Sequence, residues 1–359
     1  MISNRPTSTR VDPRNGSTGA AEDVDFEALR RDPPPVGIVI VNWNKREATA
    51  ACLQALRALS YSNTSVFMVD NGSADGSEGA IEREFPEVHV IQMHRNSGFA
   101  TAANRGMQEA ARDGAEFVWL LNNDTVVRPD ALVELVRTAF EHPSAGFIGS
   151  AIYYAQQPTK IWALGGSIDL ERFATDHLQL DEYVENEARG DREVDYVPGC
   201  SMLVRISALR RIGLMRECFF LYFEDADWSM RARSLGYKTM ISLSSVVWHE
   251  WDRGRRESEP HYIRYLTRNR LWFCRIWNRK RILSALATAV WVSGGIWLRT
   301  WRAQVPSGRL LRIFWEFSRG ALPGLFARIP GGSMATGFPE LKLPAVDPDA
   351  VPPGGHGMK

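Results

Sequence analysis

The chain has 359 residues, of which 44% are hydrophobic and 24% are charged, and its formal net charge at pH 7 is +1. These values are ordinary for a soluble globular protein of one large domain or two smaller ones. The four cysteines lie far apart without a CxxC pair, which argues against structural zinc and fits a reducing compartment. The N-terminus has no apolar signal-peptide core, so we expect a cytoplasmic protein.

Strand and helix patterns alternate after a polar leader. Residues 1–35 are rich in Pro, Ser, Arg and Asp without periodicity, and we expect them to be disordered. Apolar runs then predict four strands, each followed by a helical pattern, at 36–41, 65–69, 88–91 and 117–121. Because strands and helices that alternate at short spacing form parallel sheets, we predict an α/β fold with a largely parallel sheet and helices on both faces.

The alternation stops after residue 150. Residues 151–195 contain scattered aromatics and charges, which predict an insertion of short antiparallel strands and loops. An apolar run at 196–204, an aromatic run with a helix in 219–237 and a last strand at 246–249 then follow.

The C-terminal third is basic and rich in tryptophan. Residues 251–320 hold 15 Lys and Arg against four Asp and Glu, and seven of the 12 Trp. Within them, 282–298 lacks charges but falls short of the roughly 20 residues of a comfortable bilayer span. We expect amphipathic helices over 256–329 that pack on the domain or on a second subunit, lie on an anionic membrane or cross it. The Gly- and Pro-rich residues 330–359 predict a disordered tail.

Oxygen-bearing side chains follow the fourth predicted strand. The apolar run ends at Asn122-Asn123-Asp124, and Asn42 and Asp70 end two other strands at the same edge of the sheet. That edge is where open α/β sheets bind their ligands. An N-cap cluster is the alternative, but we favour Asp124 as a ligand of Mg²⁺ or Mn²⁺ that is shared with a diphosphate.

Two glycine-containing stretches predict either turns or ligand contacts. Residues 70–77 are rich in turn formers, and their glycines would let the backbone approach a nucleobase or ribose. Residues 96–99 open a helix whose N–H groups could bind a diphosphate. No GxGxxG follows the first strand, which disfavours a dinucleotide-dependent oxidoreductase.

An acidic cluster, Glu224-Asp225-Ala226-Asp227, follows the aromatic run. Asp227 and Arg231 have the i,i+4 spacing of an ion pair on a helix surface. Glu224 or Asp225 could cap the helix or act as a general base. Aromatic burial would raise the pKa of such a carboxyl and the helix N-terminus would lower it, so the net direction stays open. His249, after the last strand, is either a structural residue or a metal ligand.

In this order, the motifs resemble glycosyltransferase family 2 enzymes of GT-A fold, and in particular bacterial rhamnosyltransferases, over residues 36–275. The resemblance rests on these stretches together: 41–44, 70–77, 96–99 with Asn104 and Gly106, 121–124, 223–227, His249 and 268–270. It implies a Rossmann-like catalytic domain at 36–255, with a nucleotide-sugar half at 36–150 and an acceptor half at 151–255.

The resemblance implies an inverting transfer from a nucleoside-diphosphate sugar, with dTDP-rhamnose preferred over a UDP-sugar. The acceptor would be a lipid-linked saccharide or a cell-surface polysaccharide precursor. Asp225, beside Glu224, would be the base, and Asp124 and His249 would bind Mg²⁺ or Mn²⁺. Donor contacts are expected from Asn42, Asn44, Asp70, Asn71, Gly72, Asn96, Gly98, Phe99, Asn104, Asn122 and Asn123. Acceptor contacts are expected from Gly199, Cys200 and Trp228.

One departure and two alternatives accompany this resemblance. The family's metal motif often has acids at both ends, whereas its first position here is Asn122. A nucleotidyltransferase usually has a glycine-rich basic loop after the first strand, which residues 42–44 do not resemble. A non-catalytic carbohydrate-binding protein would not need Asp124, Asp225 and His249 together. We expect peripheral attachment to the inner face of the plasma membrane, no nucleic-acid partner, and a homo-oligomer through the C-terminal helices as a further option.

Overall fold

The structure, a computed structural model, describes residues 31–184, 190–251, 260–302 and 307–330. The predicted disordered leader and tail lie almost wholly outside these residues.

A ten-stranded mixed sheet forms the centre of the fold, in the order β10-β12-β6-β11-β4-β1-β2-β3, with β5 beside β12 and β7 beside β6. Its N-terminal half is parallel, from β4 through β1 and β2 to β3. The strands are β1 Val36–Asn42, β2 Thr64–Asp70, β3 His89–Gln92, β4 Phe117–Asn122, β5 Thr125–Val127, β6 Ala145–Tyr154, β7 Gln157–Ala163, β10 Asp191–Glu193, β11 Ser201–Arg205 and β12 Lys238–His249.

Helices cover both faces of this sheet, as predicted. In β1, Val39 packs with Ala103 and Met107 on one face, while Ile38 and Ile40 pack in the cluster on the other. A strand that is buried on both faces requires the continuous apolar run seen in the sequence. The helices are α1 Arg46–Leu56, α2 Ser77–Glu84, α3 Phe99–Arg112, α4 Ala131–Glu141, α5 Ile206–Ile212 and α6 Glu224–Ser234. The α/β fold is thus confirmed.

The insertion after residue 150 contains short antiparallel strands, as expected. β6 and β7 form an antiparallel pair, and β8 (Gly166–Asp169) pairs with β9 (Ala174–His177) in a separate sheet. The antiparallel placement of β11 between β4 and β6 was not predicted. It carries the turn before Ser201 to the same edge at which β4 ends.

Three helices complete the described chain: α7 Pro260–Trp277, α8 Ile282–Arg302 and α9 Ser307–Phe326. The segment 279–302 is long and apolar enough to cross a membrane by length and composition. Only 22% of its most apolar 18-residue stretch is buried in the protein. α8 buries one face, which carries Ala285, Ala289, Ser293 and Ile296. Most of the described residues in 256–329 are therefore helical.

Candidate active site

Strands β1, β2 and β4 end at one level. β1 pairs Asn42 with Asp70 of β2, and Val41 with Asn122 of β4. The Asn42 amide donates to Asp70 Oδ1 at 3.0 Å and accepts from the Asn123 amide at 3.1 Å. Asn42 and Asp70 are both 0% exposed. These hydrogen bonds hold the strand ends together, and the predicted contact of the two side chains with a nucleobase or ribose stays a prediction.

A cavity of about 290 Å³ opens at this edge. It collects seven of the residues expected to bind donor or metal: Asn71, Asn96, Gly98, Phe99, Asn122, Asn123 and Asp124. It also contains residues that were not predicted as site residues, from the β1–α1 loop, the aromatic run and α7: Trp43, Lys45, Phe220, Leu221, His261, Arg264 and Tyr265. Trp43 lies within the 41–44 motif and Lys45 directly follows that motif, whereas the α7 residues had no such signal.

Asp124 and His249 meet through strand pairing. β5 begins one residue after Asp124 and pairs antiparallel with the end of β12, with Thr125 opposite His249. His249 Nε2 lies 3.1 Å from Asp124 Oδ1, and Lys45 Nζ lies 2.6 Å from Oδ2. Burial acts to raise the pKa of the Asp124 carboxyl, but His249 and Lys45 together hold this pKa well below its usual range. Asp124 is therefore an anion under all ordinary conditions.

The groups around Asp124 fit a divalent cation. A buried carboxylate and an imidazole nitrogen meet beside the cavity, and the Asn122 amide lies 3.5 Å from the same nitrogen. Carboxylate, imidazole and amide are suitable ligands for Mn²⁺, and a carboxylate suits Mg²⁺. The Lys45 ammonium shows that a positive charge is accommodated next to Asp124.

A second cluster of potential ligands has a structural explanation. Glu141, His142 and Asp191 lie close together, and none of them lines the cavity. Asp191 already interacts with Arg137, Thr138 and His142 at 3.0–3.1 Å. These contacts join α4 to β10.

The acid pair lies at the start of α6. Asp225 accepts hydrogen bonds from the backbone N–H groups of Gly199, at 3.1 Å, and Ala226, at 2.8 Å. Burial raises the pKa of Asp225. Burial and the neighbouring Asp225 charge raise the pKa of Glu224 to about 8. The sequence left the direction of the net pKa shift open, and in the structure both pKa values are raised, because desolvation outweighs the backbone hydrogen bonds.

The turn at Gly199-Cys200 joins the acid pair to the sheet edge. Cys200 carbonyl oxygen accepts from Asn122 N–H at 2.9 Å, while Gly199 N–H donates to Asp225. A Cβ built on Gly199 would lie 3.6 Å from the ring of Phe99, which lines the cavity. Asp225 is not among the lining residues of the cavity and is connected to Phe99, which lines it, through Gly199. Of the three carboxylates expected in one cleft, only Asp124 is a lining residue, Asp225 lies behind Gly199 and Asp70 is buried.

Strained backbone precedes the acid pair. Phe220, Tyr222 and Phe223 have φ values of 66°, 72° and 71°, which bulky residues rarely adopt. The two N–H groups of the Asn269 amide are shared among three carbonyl oxygens of this loop, which lie 2.7–2.9 Å from Nδ2. Arg268 also donates to the Phe219 carbonyl oxygen, at 2.9 Å, and to that of Cys218, at 3.2 Å. The 268–270 motif of the sequence therefore holds the loop whose Phe220 lines the cavity.

Two predicted site residues have structural roles. Trp228 is 0% exposed, packs on Phe147 and donates to Gly213 carbonyl oxygen at 2.8 Å. Asn104 is buried, and its side-chain amide donates to the Met215 carbonyl oxygen and accepts from the Met215 N–H, both at 2.9 Å. Apolar packing of α3 and α6 turns both side chains inward, and their predicted contacts with acceptor and diphosphate stay predictions.

Two further predicted donor residues and the Asp227–Arg231 pair are not among the lining residues of the cavity. Asn44 accepts from Ala74 N–H at 2.7 Å, and Gly72 approaches the backbone of Arg95, so both belong to the adjoining turn. The Asp227–Arg231 pair exists at 3.1 Å, but both side chains are buried, which corrects its expected surface location. Arg216 also binds Asp227, and Trp277 donates to it at 3.0 Å.

A mixed α/β sheet whose parallel half ends in an anionic, imidazole-bearing edge, next to an acid pair, has the arrangement of a glycosyltransferase of GT-A fold. Residues 37–213 match the family described as Glycosyl transferase family 2, and this segment of the chain belongs to that family. The N-acetylglucosaminyl-diphospho-decaprenol L-rhamnosyltransferase of Mycobacterium tuberculosis is 27% identical over 229 residues, which cover 59% of this chain and 75% of that protein.

Two further proteins are similar over more than half of the chain. The low-salt glycan biosynthesis hexosyltransferase Agl10 of Haloferax volcanii is 23% identical over 205 residues, 55% of this chain and 61% of that protein. The crystal structure of GalNAc-T7 with UDP, GalNAc and Mn²⁺ superposes with a TM-score of 0.54 at 14% identity. That superposition covers 69% of this chain and only 49% of that structure, and it establishes the fold.

Proposed function

We propose that the protein is an inverting, rhamnosyltransferase-like enzyme. It transfers a sugar, with L-rhamnose from dTDP-rhamnose as the first candidate, to a hydroxyl group of a lipid-linked saccharide in polysaccharide or cell-wall assembly. The observation that carries this proposal is the connection of Asn122, two residues before Asp124, to Asp225 through the Gly199-Cys200 turn. This connection fixes a candidate base relative to the charge-binding edge of the sheet. The similarity to the mycobacterial rhamnosyltransferase supports the choice of sugar and acceptor class.

Asp225 is the proposed base. Two N–H groups stabilise its carboxylate, while Glu224 retains its proton near neutral pH because its pKa is raised to about 8. Asp225 accepts the proton of the acceptor hydroxyl, and that oxygen forms a bond to the anomeric carbon. The bond between this carbon and the diphosphate oxygen breaks on the opposite face, and its electron pair leaves with the nucleoside diphosphate.

Asp124 and His249 would hold Mg²⁺ or Mn²⁺, whose role when bound is to neutralise the charge of the diphosphate. Lys45, 2.6 Å from Asp124, adds a second positive charge at the same edge. Gly199 and Cys200, beside Asp225, are the proposed acceptor-side residues. Asn71, Asn96, Gly98, Phe99, Asn122 and Asn123 are the proposed donor-side residues, because they line the cavity.

The C-terminal helices are the proposed membrane-binding surface, at the inner face of the plasma membrane. Large apolar side chains on the outer faces of α8 and α9 are exposed, among them Trp291 at 78% and Phe314 at 70%. Arg279, Lys280 and Arg281 lie at the start of α8. Apolar and cationic groups together bind an anionic interface, which is where a lipid-linked acceptor would be found.

The proposal is tested by incubating the full-length protein with dTDP-rhamnose or UDP-sugars, Mn²⁺ or Mg²⁺, and a polyprenyl-diphosphate-linked saccharide. We expect a glycosylated lipid and one free nucleoside diphosphate per transfer. Release of pyrophosphate would instead identify a nucleotidyltransferase. If no nucleoside-diphosphate sugar is bound or turned over, the protein is a non-catalytic relative.

A further inference from the structure

Helix α7 supplies one wall of the cavity. His261, Arg264 and Tyr265 line it together with Asp124. These three residues lie beyond residue 213, where the match to the glycosyltransferase family ends. The α7 wall is therefore a feature of this chain that the family match does not cover.

Arg264 has a charged partner but no hydrogen bond at its Nε atom. Glu316 Oε2 of α9 lies 3.6 Å from Arg264 Nε, and the Glu316 side chain is 8% exposed. Within the described parts of the chain, neither of these two buried atoms has a hydrogen-bond partner. The Arg264 guanidinium also lies 5.0 Å from the ring centroid of Tyr265. The charge of Glu316 and the packing of Tyr265 thus orient the guanidinium, while Glu316 forms no hydrogen bond with the Nε–H of Arg264.

α9 packs on α7 at Arg264 itself. A Cβ built on Gly320 would lie 2.4 Å from the carbonyl oxygen of Arg264, and one built on Gly324 would lie 2.7 Å from Leu271. Residues without side chains are needed for such close backbone approach. Glu316 is one helical turn before Gly320 on the same face. The position of Arg264 in the cavity wall is therefore set by α9.

The charges at the cavity point to the ligand of Arg264. Lys45 is already paired with Asp124 at 2.6 Å, whereas Arg264 contributes a guanidinium to the opposite, helical wall. A guanidinium binds two oxygens of a phosphate group at once, which an ammonium cannot do. We propose that Arg264 binds the diphosphate of the nucleotide and that Glu316 is its positioning residue. The α7–α9 helix pair is thus part of the donor site as well as the surface that faces the membrane. This inference rests on the proposed function for the donor class.

The test measures the affinity of the full-length protein for dTDP and dTMP, and for UDP and UMP, each with Mn²⁺. Arg264→Gln is expected to weaken diphosphate binding by roughly 10- to 100-fold, the loss typical of a charge-assisted contact, and to change monophosphate binding far less. Retained monophosphate binding also shows that the variant is folded. Arg264→Lys should restore part of the diphosphate preference. Arg312→Gln, an exposed α9 residue, is the matched control and should leave both affinities unchanged.

Glu316→Gln tests the positioning role. We expect a smaller loss of diphosphate preference, and no further loss when it is combined with Arg264→Gln, because the effect of Glu316 passes through Arg264. Additive losses would overturn that role. An unchanged diphosphate-to-monophosphate ratio in Arg264→Gln would overturn the assignment of Arg264 while leaving the proposed function intact. Failure of the wild-type protein to bind any of these nucleotides would overturn the proposed function and this inference together.

Discussion

The carboxylate of Asp225 accepts a 3.1 Å hydrogen bond from the backbone N–H of Gly199. This bond ties the start of α6 to the turn before β11, whose Cys200 carbonyl in turn accepts from Asn122. Helix and strand edge are therefore fixed relative to each other. An acceptor hydroxyl that reaches Asp225 would be directed toward a donor held at the sheet edge.

Asp225→Asn should lower kcat by roughly 10²- to 10⁴-fold, the usual contribution of a general base. The amide can still hold the turn, so donor affinity should stay within a few-fold of wild type. Single-turnover transfer and donor binding are measured separately. Asp113→Asn, at an exposed carboxylate, is the control. Near-normal turnover by Asp225→Asn would exclude it as the base.

Glu224 makes stability dependent on pH. The pKa of Glu224 is raised to about 8 in the folded protein, from 4.5 when exposed. Its protonated form therefore contributes to the free energy of unfolding in full below pH 4.5, and this contribution is lost as pH rises toward 8. In that range the free energy of unfolding should fall by at most about 1.4 kcal/mol per pH unit because of Glu224, and Glu224→Gln should remove this dependence. Denaturant unfolding from pH 5 to 8 measures this slope. The exposed Glu82→Gln is the control, and parallel curves for wild type and Glu224→Gln would contradict the expectation.

Sequence reasoning succeeded where a residue's place follows from its own strand. The end of β4 was predicted from its apolar run, and Asp124 lies two residues beyond the last residue of that strand. It did not show the burial of Asn42 and Asp70, because a strand-end position does not show whether neighbouring side chains will bury the group. The Asp227–Arg231 spacing was visible, but its burial depends on Arg216 and Trp277, which only the tertiary fold brings together.

The α7 wall shows the same limit at longer range. His261, Arg264 and Tyr265 belong to a helix whose sequence is basic and aromatic throughout, so nothing local separates cavity residues from surface ones. Similarly, the triplet at 268–270 stood out in the sequence, but its function depends on a loop nearly 50 residues earlier. Packing between distant elements decided both cases.

Asn269→Ala should destabilise the protein by about 2–4 kcal/mol, because the Leu221 and Tyr222 carbonyl groups lose their donor next to strained backbone, while that of Phe219 keeps Arg268. Since Phe220 lines the cavity, donor affinity should also fall. Denaturant unfolding and nucleotide binding measure the two effects. Asn63→Ala, which removes one exposed hydrogen bond to Pro33, is the matched control. If Asn269→Ala is no less stable than Asn63→Ala, the loop does not depend on this amide.

Asp124→Asn should abolish the dependence of nucleoside-diphosphate binding on Mn²⁺ or Mg²⁺. The change removes an anionic ligand and leaves Lys45 and His249 without their shared carboxylate. The measurement is the increase in unfolding temperature with UDP or dTDP, with and without metal or EDTA. Glu250→Gln alters a neighbouring exposed acid and should behave as wild type. A metal-dependent shift that survives Asp124→Asn would place the cation elsewhere.

Replacing Leu311, Phe314 and Trp315 of α9 by Ser should release the protein from anionic vesicles. All three are at least 61% exposed and share one helical face, and burying each large apolar side chain is worth about 1.5–3 kcal/mol. Flotation with phosphatidylglycerol vesicles measures the bound fraction, which should also fall with added salt because the arginine contribution is screened. Leu170→Ser, at a half-exposed position after β8, controls for a general loss of hydrophobic surface. If the triple variant floats as well as wild type, or wild type remains in the soluble fraction, this face does not bind the membrane.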